Sequence, residues 1–419
     1  MTTRPNRTRW NRAHRSLIAI GIILGITSTA SCATDDAPAV SGAAAETSIA
    51  GLSMAYTNAT DAAPLYVLLQ DGVKAAASTS GVKLETYDNA LDASTVSSNA
   101  RLVAQSKPDF VLSYNPIAGI YGSVEKIYQN ADIPCIAVNT PSVTEPNPGY
   151  CSWLNLSNPQ LCTDTAKAVG KAARERGWTG ENTTVLLVNA PSFGEQINNC
   201  NSYFYKEITN WVPGLRTISD VSDLSVTTTQ LGDSMVQVDG KAQRSPSFDV
   251  VKNALAGIPS DRNLITYSVA DDSSLGAWQA IDQAGRGNDT LIAGIGGTGE
   301  ALTQLRSNPA WVAEGDLFFG HWGQYMMAMA AAEKNGKELP FQTIAPEAVL
   351  TKDFAIEDSI VAPLSDYYRD GQPDAYQLPP LVPVVEGETV FGTQTVGNDY
   401  LAETGVLQLF NNVRGLANG

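Results

Sequence analysis

Residues 264–302 constrain the fold more than any other stretch of the chain. They open with an apolar run, Leu264-Ile265-Thr266-Tyr267-Ser268-Val269, and Asp271-Asp272 follow almost at once. Leu275, Trp278 and Ile281 then recur at three-residue intervals, which puts them on one face of a helix. Gly285 and Gly287 end that helix. Leu291-Ile292-Ala293-Gly294-Ile295 reads as a second buried strand, and Gly296-Gly297-Thr298-Gly299 turn the chain into a helix beginning at Glu300. Strand, helix and strand in that order need a crossover, so the two strands lie parallel in a buried sheet. Ligands of such sheets sit beyond the carboxyl ends of the strands. This reading places Asp271, Asp272 and the 296–299 turn at a binding crevice.

The same alternation runs through the chain twice. Strands are expected at 49–55 (ending on Tyr56-Thr57-Asn58), 83–87, 110–114 and 133–139, with helices at 65–80, 95–107 and 124–130 between them. After a segment carrying Pro141, Pro146 and Pro148 it resumes with helix 163–176, strand 183–188, helix 196–211, strand 215–221 and helix 248–255. Residues 222–246 have no clear period and read as a surface hairpin or lid. A helix at 318–334 and a strand at 347–351 follow, and from 353 the chain is rich in Pro, Gly and Asp. A length of 419 residues, 43% hydrophobic and 17% charged, suits two globular domains. The fold class is α/β: two doubly wound parallel-sheet lobes joined by a hinge, with a cleft between them.

The first 31 residues carry five arginines and no acid, then an apolar core over 17–26. That core is too short to span a membrane, and the segment reads as an export signal. The small residues Thr27-Ser28-Thr29-Ala30-Ser31 precede Cys32, an arrangement that resembles the bacterial lipoprotein box, with Thr29 where Leu is usual. The resemblance implies a diacylglycerol on Cys32. Residues 32–47, rich in Ala, Asp, Ser and Thr, read as a tether. A chain beginning at Cys32 carries 22 basic against 43 acidic residues, which argues against nucleic acid or an anionic membrane surface as partner. Cys135, Cys151, Cys162 and Cys200 remain, an even number that in an exported chain points to disulfides with three connectivities open. Cys151–Cys162 is favoured because it closes a Pro/Asn-rich loop. Cys135–Cys200 would oppose hinge motion, and Cys135 could alternatively be a buried free thiol.

Several segments together resemble the sugar-type periplasmic binding proteins of ABC importers, the group that includes the ribose-binding protein. They are Pro108-Asp109-Phe110-Val111-Leu112 with Asn115-Pro116, and Asp132-Ile133-Pro134-Cys135-Ile136-Ala137-Val138-Asn139. Asp271-Asp272-Ser273-Ser274-Leu275-Gly276-Ala277 with Ala284-Gly285, and Ala293-Gly294-Ile295-Gly296-Gly297 before Glu300-Ala301-Leu302, complete the set. The likeness covers residues 48–355. It implies a chain that crosses between lobes three times: lobe one over 48–142 plus 318–345, lobe two over 143–317 plus 346–356. Residues 357–419 are left as a C-terminal extension without an assigned role. It also implies a lipid-anchored envelope protein, outside the cytoplasmic membrane or in the periplasm, that is a monomer. Such a protein captures a sugar or polyol by cleft closure and delivers it to a permease and its ATPase. A ligand-binding subunit of a membrane sensory system is the alternative. Sugar-responsive repressors share the fold but begin with a helix-turn-helix.

Carried over residue by residue, the resemblance makes Tyr56, Asn58, Asn115, Asn139 and Phe319 ligand contacts from lobe one. Phe193, Asn198, Asp271 and Gly296 are the contacts from lobe two. Asp271 is the strongest candidate, since a carboxylate accepts two hydroxyls, with helix capping as its competing role. Ala270 and Gly296 stand where the family's sugar binders often have Asn and Asp. Asn139-Thr140 stand where an acid and Arg are common. The departures at Ala270 and Gly296 imply a larger or less hydroxylated ligand, since Gly leaves room, and those at Asn139-Thr140 remove charge. Phe318, Trp322 and Trp153 offer further rings, for stacking or for core packing. An enzyme reading finds little support. The exported chain has one histidine, His321, and neither G-x-S-x-G nor H-E-x-x-H accompanies it. The 296–299 turn lacks the Lys of a phosphate loop, the cysteines lack metal-ligand spacing, and no cofactor is expected.

Overall fold

The computed structural model describes residues 49–363 apart from 118, 140–149, 157, 318, 335–338, 340–341, 346–347 and 352–360. The expectations for the 1–31 leader, Cys32, the 32–47 tether, Thr140, Phe318 and the tail beyond 363 lie outside the described residues.

The chain opens with β1 (Ser53–Asn58), α1 (Pro64–Thr79), β2 (Lys83–Asp88), α2 (Ala93–Ser106), β3 (Phe110–Tyr114), α3 (Tyr121–Asn130), β4 (Cys135–Val138) and β5 (Ser152–Asn155). Every residue of β3 is buried, as expected for a central parallel strand covered on both faces, whereas the edge strand β2 exposes Lys83, Glu85, Thr86 and Asp88. Asp92 starts α2 by accepting a hydrogen bond from the Thr95 backbone N–H at 2.8 Å, and Lys107 ends it in the left-handed region at φ 51°.

The second lobe begins with α4 (Asn158–Glu175) and β6 (Thr183–Asn189), followed by α5 (Glu195–Trp211), β7 (Gln230–Leu231), β8 (Met235–Asp239) and α6 (Arg244–Leu255). Residues 263–307 form β9 (Asn263–Ser268), α7 (Asp271–Gln283), β10 (Thr290–Gly296) and α8 (Gly299–Ser307). Then come β11 (Trp311–Asp316), α9 (Trp322–Lys334), β12 (Gln342–Ile344), β13 (Ala348–Thr351) and β14 (Val361–Pro363). Two sheets result, ordered β12-β5-β4-β3-β1-β2 and β14-β13-β11-β10-β9-β6-β8-β7. The first is parallel throughout; in the second, β7 runs antiparallel to β8 and β13 antiparallel to β11.

The chain passes from the first sheet to the second after Asn155, back after Asp316, and across again between Ile344 and Ala348. The boundary expected at 142 is therefore corrected: Ser152–Asn155 pairs with β4 in the first sheet. The strand expected at 215–221 is likewise replaced by β8, whose Met235 and Gln237 are buried while Val236 and Val238 are half-buried against the other face's core. β8 lies within the 222–246 segment, so that segment supplies a sheet strand as well as the β7–β8 hairpin. α9 returns to pack on α1 through glycine. A Cβ on Gly323 would stand 2.6 Å from the Cα of Val73, a distance the backbones tolerate only without side chains.

The favoured Cys151–Cys162 bridge is also corrected. The bonds are Cys135–Cys151, with Cα atoms 4.8 Å apart, and Cys162–Cys200, at 5.3 Å. Sheet register explains the first. Ile136 pairs with Ser152 across parallel strands, so the preceding residues Cys135 and Cys151 lie abreast. The second joins α4 to α5. Each bridge stays within one lobe, and neither restrains the crossings.

Candidate functional site between the two sheets

Beyond the carboxyl ends of the strands of both sheets lies a cavity of about 430 Å³, its mouth included. Lobe one contributes Leu65, Tyr66, Tyr114, Asn139 and Phe319; lobe two contributes Phe193, Ile197, Cys200, Val269 and Ile295. Leu156 and Leu317 line it from the first two crossings, and Ala242 and Ala270 complete it. Strand direction accounts for the gathering. Tyr114 ends β3, Asn139 follows β4, Val269 follows β9 and Ile295 is the next-to-last residue of β10, so parallel strands deliver one residue each to the same place.

The lobe-one wall is a connected set of rings. Tyr66 and Tyr114 meet edge-on with centroids 5.5 Å apart, Tyr114 and Phe319 at 6.4 Å, and Phe319 and Trp322 at 4.7 Å. Such T-shaped contacts satisfy the ring quadrupoles and fix the wall's shape. Trp322 donates its indole N–H to the Leu317 carbonyl at 2.7 Å, which anchors the set to the second crossing. Burial raises the hydroxyl pKa values of Tyr66 and Tyr114, so both are neutral polar groups.

Asn139 is the polar centre of this wall. It adopts the left-handed backbone at φ 45°, a conformation Asn tolerates better than most residues. Its Nδ2 donates to the Tyr114 hydroxyl at 2.9 Å, while Oδ1 is buried without a partner among the described residues. An unpaired buried acceptor on a cavity wall is a place for a donor from outside the protein.

Three of the nine residues singled out from sequence, Asn139, Phe193 and Phe319, meet at this cavity. The other six are placed elsewhere. Tyr56 is fully buried and donates its hydroxyl to Asn58 Oδ1 at 2.9 Å. Asn58 Nδ2 in turn holds the β1–α1 loop through the Thr60 carbonyl at 2.7 Å and Asp61 at 2.8 Å. Asn115 Oδ1 accepts from the Ile117 N–H at 3.0 Å, and the residue faces a separate space of about 240 Å³ within lobe one, beside Tyr121 and Glu125. Asn198 is spent on the turn after β6: Oδ1 accepts from the Ala190 N–H, and Nδ2 donates to the Ala190 and Gly194 carbonyls. Trp153 is a core residue of lobe one; its indole N–H donates to Glu125 at 3.1 Å.

Asp271 and Gly296 serve each other. Asp271 Oδ2 accepts from the Thr298 N–H at 2.7 Å, and a Cβ on Gly296 (φ 151°) would lie 2.6 Å from that oxygen. Glycine there lets the carboxyl reach the turn. Behind it, Asp271 hydrogen-bonds the buried Glu314, which also accepts from the Trp311 indole at 3.0 Å. Burial first, and the adjacent Asp271 second, push the Glu314 pKa well above the usual carboxylate range. Glu314 therefore holds a proton in the folded protein that it releases on unfolding. Folded protein then binds more protons than unfolded chain above the ordinary carboxylate range, so this pair's contribution is full in acid and declines as pH rises through the raised value. From about pH 5 upward, the stability of wild type is expected to fall more steeply than that of Glu314→Gln, by up to about 1.4 kcal/mol per pH unit. Parallel slopes for the two proteins would show that the pair is not protonated as described.

A family of known proteins fits this geometry. The sequence model described as periplasmic binding protein domain matches residues 54–338, and the chain belongs to that family. Among curated proteins none matches the chain in sequence. Solved structures do match in fold. An ABC transporter periplasmic solute-binding protein from Actinobacillus succinogenes, with D-allose bound, aligns at TM-score 0.59 and 13% identity over 71% of this chain and 96% of that one. A Mycobacterium smegmatis protein in complex with β-D-fucofuranose aligns at 0.57 and 18%, over 72% and 91%. A solute-binding protein from Bacillus halodurans with myo-inositol aligns at 0.57 and 16%, over 72% and 95%.

Proposed function

We propose that this chain is an extracytoplasmic receptor that closes its two lobes on one small solute and presents the closed form to an ABC permease and its ATPase. The observation that carries the reading is a single cavity lined by strand ends of both sheets, with three chain crossings between them. A solute in that position contacts both lobes at once, so it stabilises the closed arrangement by its differential affinity for it. Both disulfides lie within lobes and leave the crossings free to bend. The fold neighbours' sugars and inositol make carbohydrates the first solutes to test.

The receptor works as a monomer held to the membrane through a lipid on Cys32, with the 32–47 tether giving it reach. The Ser31-Cys32 junction after an apolar core supports this. Among the described residues no helix is long and apolar enough to cross a membrane. A Cys32→Ala chain is expected to partition into the aqueous phase of a detergent extraction, where the unsubstituted chain stays with the detergent. Equal partitioning of both would remove the anchor from the account.

A further inference from the structure

The composition of the cavity wall narrows the solute class, an inference that rests on the receptor reading above. Apart from Phe319, nine of the lining side chains are hydrocarbon: Leu65, Leu156, Ile197, Val269, Ile295 and Leu317, with Ala242, Ala270 and the ring of Phe193. Phe319 adds a second ring, and Cys200 presents its disulfide sulfur. Among the described lining residues polar chemistry comes from Tyr66, Tyr114 and Asn139, and part of it is already used, because Asn139 Nδ2 is bonded to the Tyr114 hydroxyl and the Tyr66 and Tyr114 hydroxyls are bonded to each other. The ionisable groups nearest the wall, among them Asp272, whose charge acts on Tyr66, are engaged with one another. Asp272 pairs with Arg244 at 3.3 Å, Arg244 also holds Glu300 at 2.7 Å, and Asp271 is hydrogen-bonded to Glu314. Burying a charged solute against this surface would leave its charge unpaired.

We infer that the solute is uncharged and sparsely hydroxylated, with an apolar face between Phe193 and the Tyr114–Phe319 rings and a donor group directed at Asn139 Oδ1. A fully hydroxylated sugar brings more hydroxyls than this wall can pair. Each one buried without a partner weakens binding by about tenfold. The apolar face meets hydrocarbon and aromatic carbon, the lining found in most small-molecule pockets. The one orphaned acceptor supplies orientation.

Calorimetric titration of the full-length protein with 4-ethylphenol, ethylbenzene, D-allose and myo-inositol tests this. The expected result is binding of 4-ethylphenol about tenfold tighter than of ethylbenzene, with the sugars weaker than both. In Asn139→Leu the preference for 4-ethylphenol over ethylbenzene is expected to vanish while ethylbenzene still binds. The comparison of the two probes in the unsubstituted protein stands even if that variant fails to fold. Tighter binding of D-allose or myo-inositol than of 4-ethylphenol overturns the solute class and leaves the receptor reading intact. Equal affinity for the two aromatic probes in the unsubstituted protein, or no binding of either, also overturns it. The receptor reading itself fails separately, when no solute of either kind changes the shape of the protein in solution.

Discussion

Asp271→Ala is expected to destabilise the protein by about 2–4 kcal/mol while leaving its response to solute in place. The substitution removes the acceptor from the buried Thr298 N–H, which sits 2.7 Å from Asp271 Oδ2. It also removes one of the hydrogen-bond partners of Glu314, the one that faces its proton. An unsatisfied buried donor costs about 1–3 kcal/mol, and loss of the second buried hydrogen bond adds to it. A merely capping carboxylate would cost about 1 kcal/mol. Denaturant unfolding of the ligand-free protein gives the first number, and the shift in melting temperature at saturating solute gives the second. The two roles considered for Asp271 part here. If the unfolding free energy is unchanged but the solute shift disappears, the carboxyl is a ligand contact and the account of the 296–299 turn is wrong.

Removing the first disulfide is expected to cost about 3 kcal/mol, because Cys135–Cys151 closes a loop of sequence separation 16 in the unfolded chain. The loss should appear as a lower denaturation midpoint in the Cys135→Ala/Cys151→Ala double variant, with unfolding still cooperative. Both residues are fully buried in lobe one, so two small voids add to the loss. Peptide mapping of the unreduced protein checks the pairing directly. It should join Cys135 to Cys151 and Cys162 to Cys200. A peptide joining Cys151 to Cys162 would mean that β5 does not lie beside β4.

Strong local signals in the sequence were sufficient for most of the lattice of strands and helices. The 110–114 and 183–188 runs are continuous and apolar because both faces of their strands are covered, and they form β3 and β6. Four-residue β5 and three-residue β12 are too short to carry a period, and each is a strand only through its neighbour. β8 was hidden differently. Its inward positions include Gln237, whose amide donates to the Ser225 and Thr228 carbonyls, so a buried polar residue broke the apolar alternation.

The end of the sheets that carries the cavity was legible, but the face was not. Asn115, Asp271 and Gly296 each stand beside a residue that does line the cavity: Tyr114, Ala270 and Ile295. Successive residues of an extended chain point to opposite faces, so an error of one position exchanges a wall residue for one turned inward. Polar residue types at strand ends drew attention to Asn58 and Asp271, and the family resemblance added Asn198 at a helix start. Turns need those same types to satisfy their own backbone, and here the turns use them. Asn139 escapes because its left-handed backbone aims the amide at Tyr114 and the cavity. Tyr66 lies within α1, away from any strand end, and no signal in its neighbourhood marked it.

Small-angle scattering of the full-length protein, with and without a saturating solute, tests most directly whether the two lobes close on what they bind. A smaller radius of gyration with solute, reversed on dialysis, is the predicted result. A solute bound stoichiometrically with the scattering profile unchanged would contradict it.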